Sequence, residues 1–152
     1  MARDIFHEAV RHALEREGWT ISADPLTFTF PGKVTLQIDL GAERVLALER
    51  GLERIAVEIK TFVGLSQISE LHGAIGQYRN YLAALDLRDP NRKLFLAVPV
   101  TVFNTFFQLE FVRYTLQRNQ VNILVYDPET EVIVSWHESQ TQPESNTLSD
   151  PS

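Results

Sequence analysis

Residues 55–60 read IAVEIK and have the pattern of a strand buried in a sheet, except that two of the six residues are charged. Three β-branched residues alternate along the run: Ile55, Val57 and Ile59. Because successive side chains of a strand point to opposite faces, Glu58 and Lys60 share the other face. Buried charge is costly unless it is paired, hydrogen-bonded or bound to a metal. The run therefore predicts a strand that carries a polar site on one face.

The composition is that of one globular domain. The chain has 152 residues, 44% of them hydrophobic, which is enough to bury a sizeable core. It has no cysteine, which excludes disulfides and thiolate metal sites and suits a reducing compartment, so we expect a cytoplasmic protein. No run approaches the roughly 20 apolar residues of a membrane helix, and we expect no membrane association.

The charge argues against a protein that coats nucleic acid through a broadly positive surface. The formal net charge is −6, and −3 remains up to His137 once the three acidic residues of the tail are set aside. A protein of this charge needs a divalent cation or a partner protein to hold DNA. Lysine occurs only at Lys33, Lys60 and Lys93, so one of the three lies in the apolar strand.

The hydrophobic pattern of the whole chain predicts an α/β fold, a mixed sheet flanked by helices with the element order αβββαβαββ. Helices are expected at 4–17, capped by Asp4 and ended by Gly18, at 66–85, capped by Ser66, and at 102–118, with a break near Leu109. Strands are expected at 26–30, 34–40, 55–60, 94–100, 122–126 and 132–136. Residues 41–54 fit either a short strand or a helical turn. We expect one domain over 1–137 and a disordered polar tail over 138–152.

A second polar face lies on the strand predicted at 34–40, which ends with Asp39 on its polar side. If this strand lies near 55–60, Asp39 converges on Glu58 and Lys60. Two carboxylates can hold Mg²⁺ or Mn²⁺, with the backbone carbonyl of Ile59 as a further oxygen ligand. The lysine can orient an attacking water or neutralise charge on the phosphate. The set predicts metal-assisted hydrolysis of phosphodiester bonds.

Asp39 together with Glu58-Ile59-Lys60 resembles the PD-(D/E)xK signature of restriction-endonuclease-like nucleases. The stretch Gln37-Ile38-Asp39 lacks the proline of the nominal motif. The resemblance implies a restriction-endonuclease-like fold, with Asp39 and Glu58 as metal ligands and Lys60 as a catalytic residue.

Two further positions extend the resemblance. Glu8 lies on the first helix, where that superfamily often places another metal-linked carboxylate, which implies Glu8 as a further metal ligand. Gln77 and Tyr81 match the Q-x-x-x-Y of RecB-type nucleases, which implies a positioning role in catalysis for Gln77.

Over nearly the whole chain to Trp136, the amino-acid sequence is similar to those of the XisH family of fdxN-element excision controlling factors. The stretches that carry this resemblance are MARDIFHEAVRHALEREGWTI, IDLGAERVLALERG, IAVEIKTFVGLSQI, LHGAIGQYRNYLAAL, LFLAVPV and ILVYDPETEVIVSW. The resemblance implies a role in programmed excision of a DNA element, with DNA, a small XisI-like protein and a site-specific recombinase as partners. Many nucleases with this signature act as dimers, so a homo-oligomer is expected by analogy.

Each signal also has a plainer interpretation. A lone E-x-K on a strand is more often a cross-strand ion pair. Glu8 fits an exposed helix residue, and Tyr81 fits the core with Gln77 on the surface. The alternative to an endonuclease is a non-catalytic regulator with the same fold that binds XisI or the recombinase, and a weaker alternative is an RNA-cleaving toxin. Gly73 and Gly76, inside a predicted helix, indicate close approach of the helix backbone to a strand or a ligand.

Overall fold

A computed structural model of the chain describes residues 5–47 and 51–139. The elements, in chain order, are α1 (Ile5–Arg16), β1 (Thr20–Ala23), β2 (Leu26–Phe30), β3 (Val34–Ile38), β4 (Leu40–Ala47), β5 (Gly51–Ile59), α2 (Gln67–Arg88), β6 (Lys93–Pro99), α3 (Val100–Asn104), a 3₁₀ turn (Phe106–Gln108), α4 (Glu110–Arg118), β7 (Ile123–Asp127) and β8 (Val132–His137). In these ranges no helix is both long enough and apolar enough to cross a membrane.

A mixed six-stranded sheet forms the centre of the molecule, in the order β1-β4-β5-β6-β7-β8. The three central strands, β5, β6 and β7, run parallel to one another. β4 pairs antiparallel with β5, β1 pairs antiparallel with β4, and β8 pairs antiparallel with β7. The predicted mixed α/β architecture with helices on a mixed sheet is therefore confirmed.

Two hydrophobic cores cover the two faces of this sheet. On the face that we call the α1 side, Val10 and Leu14 of α1 pack with Ile55 and Val57 of β5. On the opposite face, the α2 side, Ala56 of β5 packs among residues of α2, α4 and the 3₁₀ turn. The alternation predicted for 55–60 is thus the partition between the two cores.

The predicted cap of α2 and the predicted end of α1 are both seen in the structure. Ser66 caps α2 as predicted, because its hydroxyl accepts a hydrogen bond from the Ser69 N–H at 3.2 Å. Gly18 follows α1 with φ of +90°, the conformation expected of a residue that ends a helix. The predicted cap Asp4 lies outside the described residues.

The strand predicted at 34–40 is two strands, because the chain changes sheets at Asp39. β3 pairs only with β2, in a separate two-stranded ribbon whose turn contains Pro31 and Gly32. β4 begins at Leu40 and joins the main sheet, where Leu40 pairs with Val57. As a result Ile38 is buried on the α2 side and Leu40 on the α1 side, although the alternation placed them on one face.

The remaining differences from the predicted elements are local. β1 was not predicted, and the ambiguous residues 41–54 belong to β4 and β5 wherever they are described. The helix predicted at 102–118 is α3 and α4 joined by the 3₁₀ turn, with the interruption at Leu109. From residue 140 onward the predicted tail lies outside the described residues.

The prediction for the two glycines of α2 is wrong as regards a strand. A Cβ built on Gly73 or on Gly76 would meet no other atom within 4 Å, and both positions are exposed. The helix surface is bare there because the buried stripe of α2 runs along Leu71, Ala74 and Tyr78.

Tyr78 joins three elements through its hydroxyl group. The side chain is almost completely buried, and its hydroxyl donates to the carbonyl of Leu94 at 2.9 Å. The same oxygen accepts a hydrogen bond from the N–H of Asn122 at 2.9 Å. One phenol therefore connects α2, β6 and the start of β7 in the α2-side core.

We expect Tyr78→Phe to lower the free energy of unfolding by about 1–3 kcal/mol, because it leaves the partly buried N–H of Asn122 without its acceptor. Denaturant unfolding of the variant and the wild type measures this difference. Tyr114→Phe is the matched control, since Tyr114 is 62% exposed, and it should change stability by less than about 0.5 kcal/mol. Equal stability of both variants would contradict the role given to the hydroxyl.

Candidate active site

Asp39 and Glu58 lie side by side at the carboxyl end of β5, and backbone groups hold both side chains in place. The N–H of Asp39 donates to Oε1 of Glu58 at 3.2 Å. The N–H of Ile59 donates to Oδ2 of Asp39 at 2.8 Å. The interruption of the strand between β3 and β4 makes this exchange possible. Asp39 lies in that interruption, so its backbone is not paired with a neighbouring strand. The structure thus brings together the two carboxylates that the sequence assigned to one site.

Lys60 follows β5 directly and completes the group. Its backbone N–H donates to the carbonyl of Ala97 at 3.0 Å, which continues the pairing of β5 with β6 by one residue. Its ammonium lies 3.8 Å from Oε2 of Glu58. The side chain of Lys60 is 29% exposed while that of Glu58 is 9% exposed, so the site opens to solvent on the lysine side.

The buried carboxylate has unusual acid–base properties. The pKa of Glu58 is raised from its usual 4.5 to about 7, chiefly by burial and then by the negative charge of Asp39. The charge of Lys60 and the hydrogen bond from the Asp39 N–H act in the opposite direction. An arrangement of two carboxylates in which one resists ionisation is typical of functional sites, where a bound cation or proton relieves the repulsion.

Tyr81 faces the same group from α2. Its side chain is buried, and its pKa is raised from 10.0 to about 12 by burial and by the charges of Glu58 and Asp39. Its phenol is therefore neutral and within electrostatic reach of both carboxylates. Gln77, one turn earlier on α2, is exposed. Of the Q-x-x-x-Y pair, the structure brings Tyr81 to the carboxylates and leaves Gln77 on the helix surface.

Glu8 is not part of this group. It lies on α1, which packs on the opposite face of the sheet from Glu58. Its carboxylate is 3.7 Å from Nε2 of His12, and Nδ1 of His12 is 3.0 Å from Glu131 in the β7–β8 turn. The sequence could not place Glu8, because the helical pattern of α1 does not determine which face of the sheet the helix covers.

A buried arginine, which the sequence did not point to, secures the strands behind the site. Arg92 is 8% exposed, donates to the carbonyl of Ile55 at 2.9 Å and lies 3.0 Å from Glu43 of β4. It also donates to Asp89 at 2.8 Å, and Asp89 accepts two hydrogen bonds from Arg54, at 2.7 and 2.9 Å. The network connects β4, β5 and the end of α2. No local motif signals it, because Arg54 and Asp89 are 35 residues apart.

The donor set at this site fits a hard divalent cation. One oxygen of each carboxylate accepts a backbone N–H, which leaves Oδ1 of Asp39 and Oε2 of Glu58 as donors for a cation. The described part of the chain holds no group of three His, Asp or Glu side chains placed to bind a metal ion. Mg²⁺ is commonly held by one or two carboxylates and completes its shell with water and substrate oxygens.

Comparison with known proteins shows the family of the chain. A family model described as XisH protein matches residues 1–134. The chain belongs to the XisH family. A crystal structure of an XisH family protein from Nostoc punctiforme is 48% identical, and the match covers 89% of this chain and 100% of that one with a TM-score of 0.80. No protein among the curated ones matches.

A second XisH family relative carries a name that refers to a genetic role. It is the crystal structure of an fdxN element excision controlling factor protein from Anabaena variabilis, 48% identical over 90% of this chain and 100% of that one, with a TM-score of 0.80. The family match ends at residue 134, within β8, so it includes Asp39, Glu58, Lys60 and Tyr81. The family resemblance inferred from the sequence is confirmed.

The raised pKa of Glu58 predicts a specific pH dependence of stability. Between about pH 4.5 and pH 7 the folded protein holds a proton that the unfolded chain has lost, so the free energy of unfolding should fall as the pH rises. Glu58→Gln cannot ionise and should show a weaker decline over this window. Denaturation with EDTA present, from about pH 5 to about pH 8, measures both slopes.

The matched control is Glu110→Gln, which removes an exposed carboxylate from α4 and should follow the wild type. Identical pH slopes for the wild type and Glu58→Gln would show that Glu58 titrates normally in the folded protein.

Proposed function

We propose that this protein hydrolyses phosphodiester bonds of DNA with Mg²⁺ or Mn²⁺, on a restriction-endonuclease-like scaffold, and acts in the excision of a DNA element. The observation that carries the proposal is the fixed pair of Asp39 and Glu58 beside Lys60 at the end of a buried strand. The name of the Anabaena variabilis relative supports the genetic setting. A structural ion pair would require only one of the two acids, and the second acid raises the free energy of the folded state unless a cation or a proton offsets its charge.

The roles of the residues follow from their positions. Asp39 and Glu58, with the carbonyl of Ile59, would hold the cation, which supplies Lewis-acid stabilisation of charge on the phosphate. The ammonium of Lys60 is on the solvent side, where it can hold a phosphate oxygen or orient a water for attack. The phenol of Tyr81 stays protonated and can donate to an acceptor at the site. Glu8 has no role here, because α1 is on the far face of the sheet.

The surface next to the site supports access of a large substrate. Gly73, Gly76 and Gln77 lie on one exposed side of α2, and the positions of both glycines are free of neighbouring atoms. A polynucleotide backbone can approach such a helix surface closely, and the Gln77 amide offers it both a donor and an acceptor. Gln77 is therefore better placed to contact a part of the polynucleotide away from the scissile phosphate than to contact that phosphate.

The acidic charge of the chain supports action within a complex. With a net charge of −6, the protein has no bulk attraction for DNA, so a bound cation and partner proteins would strengthen its hold on a DNA duplex. A small XisI-like protein and a site-specific recombinase are the partners that we propose, and a homo-oligomer would serve where two strands are cut.

A regulator without catalysis is the second candidate. It is favoured by the small number of side-chain donors, since only two carboxylates face the site in the described part of the chain. In this candidate the same scaffold binds XisI or the recombinase, and Lys60 serves only to balance the charge of Glu58.

Cleavage of duplex and branched DNA tests the catalytic proposal. With Mg²⁺ or Mn²⁺ the wild type should cut, and Asp39→Ala, Glu58→Ala and Lys60→Ala should each lose at least about 100-fold in rate, because each removes a cation ligand or the charge at the phosphate. Lys33→Ala is the control, since Lys33 is exposed in the β2–β3 turn and its loss should leave the rate unchanged. Equal rates in all five proteins, or no cleavage of any substrate, would reject the proposal.

Thermal unfolding with added metal separates the two candidates. If the carboxylate pair binds a cation, Mg²⁺ or Mn²⁺ at about 100 times its dissociation constant should stabilise the wild type by about 2.7 kcal/mol. Glu58→Ala should lose this response, whereas Glu110→Ala should keep it. Absence of stabilisation at millimolar metal would favour the regulator.

A further inference from the structure

A groove of about 1140 Å³ lies on the α2 side of the sheet, between α4 and the end of β8. It is larger than most sites for small molecules, so its shape suits a segment of a polymer. The residues that line it and that matter here are Phe103, Arg113, Tyr114, Gln117, Arg118 and His137.

The groove and the candidate active site share one face and one level of the sheet. The pairing register joins Glu58 to Leu96, Leu96 to Ile123, and Ile123 to His137, so the four residues form a row across β5, β6, β7 and β8. Three strand spacings of about 4.8 Å put His137 roughly 14 Å from Glu58 along this row. Ile123 and His137 both line the groove.

Aromatic side chains connect the two places. The ring of Phe62, two residues after Lys60, packs against Phe107 with centroids 5.2 Å apart. Phe107 packs against Phe103 at 6.5 Å, and Phe103 stacks on His137 at 4.6 Å with an interplanar angle of 25°. Buried rings therefore connect the groove to the loop that follows the candidate catalytic lysine.

The charge of the groove is opposite to that of the chain as a whole. Arg113 and Arg118 are both exposed, and the described residues provide neither guanidinium with an ion-pair partner. The acidic residue of the lining, Glu138, is already paired with Lys93 at 2.9 Å. On a molecule of net charge −6, this leaves a local positive surface that is available to an anion.

We propose that the groove binds a single-stranded segment of nucleic acid that extends from the candidate active site. Exposed rings beside arginines are the features by which proteins hold unpaired strands, because bases stack on rings while the arginines meet phosphates. Tyr114 is 62% exposed and supplies such a ring, and the amide of Gln117 can bond to base edges. The proposal rests on the proposed function in taking the ligand to be nucleic acid.

Fluorescence anisotropy with a labelled twelve-residue oligo-dT or oligo-U, in EDTA and low salt, tests binding without cleavage. The wild type should bind at least one of the two strands, and affinity should fall with salt. Tyr114→Ala should weaken binding about 5- to 100-fold through the lost base stacking, and Tyr114→Phe should restore it. The double variant Arg113→Gln, Arg118→Gln should weaken binding and lower the slope of log K against log salt by about 1.4.

Two controls match these changes. Phe111→Ala removes a ring of equal exposure, 63%, from the same helix but outside the lining of the groove. Arg16→Gln removes an exposed arginine from α1 on the other face of the sheet. Both should bind as the wild type does. Failure of the wild type to bind either strand, or equal binding by Tyr114→Ala and Phe111→Ala, would overturn the proposal, as would a poly-glutamate peptide that binds where the oligonucleotides do not.

The outcome is distinguishable from that of the cleavage test. Binding that depends on Tyr114, with no cleavage of any DNA, would keep the groove and reject the hydrolytic activity. Cleavage that depends on Asp39 and Glu58, with no single-strand binding, would keep the activity and reject the groove.

Discussion

The exchange of hydrogen bonds between Asp39 and the end of β5 is the interaction on which the site depends. The N–H of Asp39 donates to Glu58, and the N–H of Ile59 donates to Asp39, so each acid is fixed by the backbone next to the other. The exchange occurs where the chain leaves the β2–β3 ribbon and enters the main sheet. Two like charges are thereby held together in a partly buried place, which the fold tolerates only with compensation.

The surroundings supply that compensation in two ways. Lys60 offsets part of the charge, and the raised pKa of Glu58 allows a proton to remove one charge when no cation is bound. Behind the site, the buried Arg92 ties β4 and β5 to the end of α2, so the strands that carry the acids are rigidly placed. A rigid frame that holds two neighbouring carboxylates is the basis on which we propose cation binding in this XisH family member.

The α2 side of the molecule carries the polar groups of both the candidate active site and the groove. The carboxylates, Lys60, the bare surface of α2 and the arginine-lined groove are all on that face, whereas α1 covers the other with apolar residues and exposed ion pairs. Because the central strands are parallel and their pairing is in register, the carboxyl end of β5 lies level with the end of β8.

The sequence by itself determined the local features: the alternation of 55–60, the cap of α2 at Ser66, the strand at 94–100 and the shared face of Glu58 and Lys60. These follow from neighbouring residues, since strand period and helix capping are properties of a few consecutive positions. The tertiary structure alone decided the change of sheet at Asp39, the opposite side taken by Glu8, and the network around Arg92. Each depends on which distant segments pack together, and no periodicity within one segment encodes that choice.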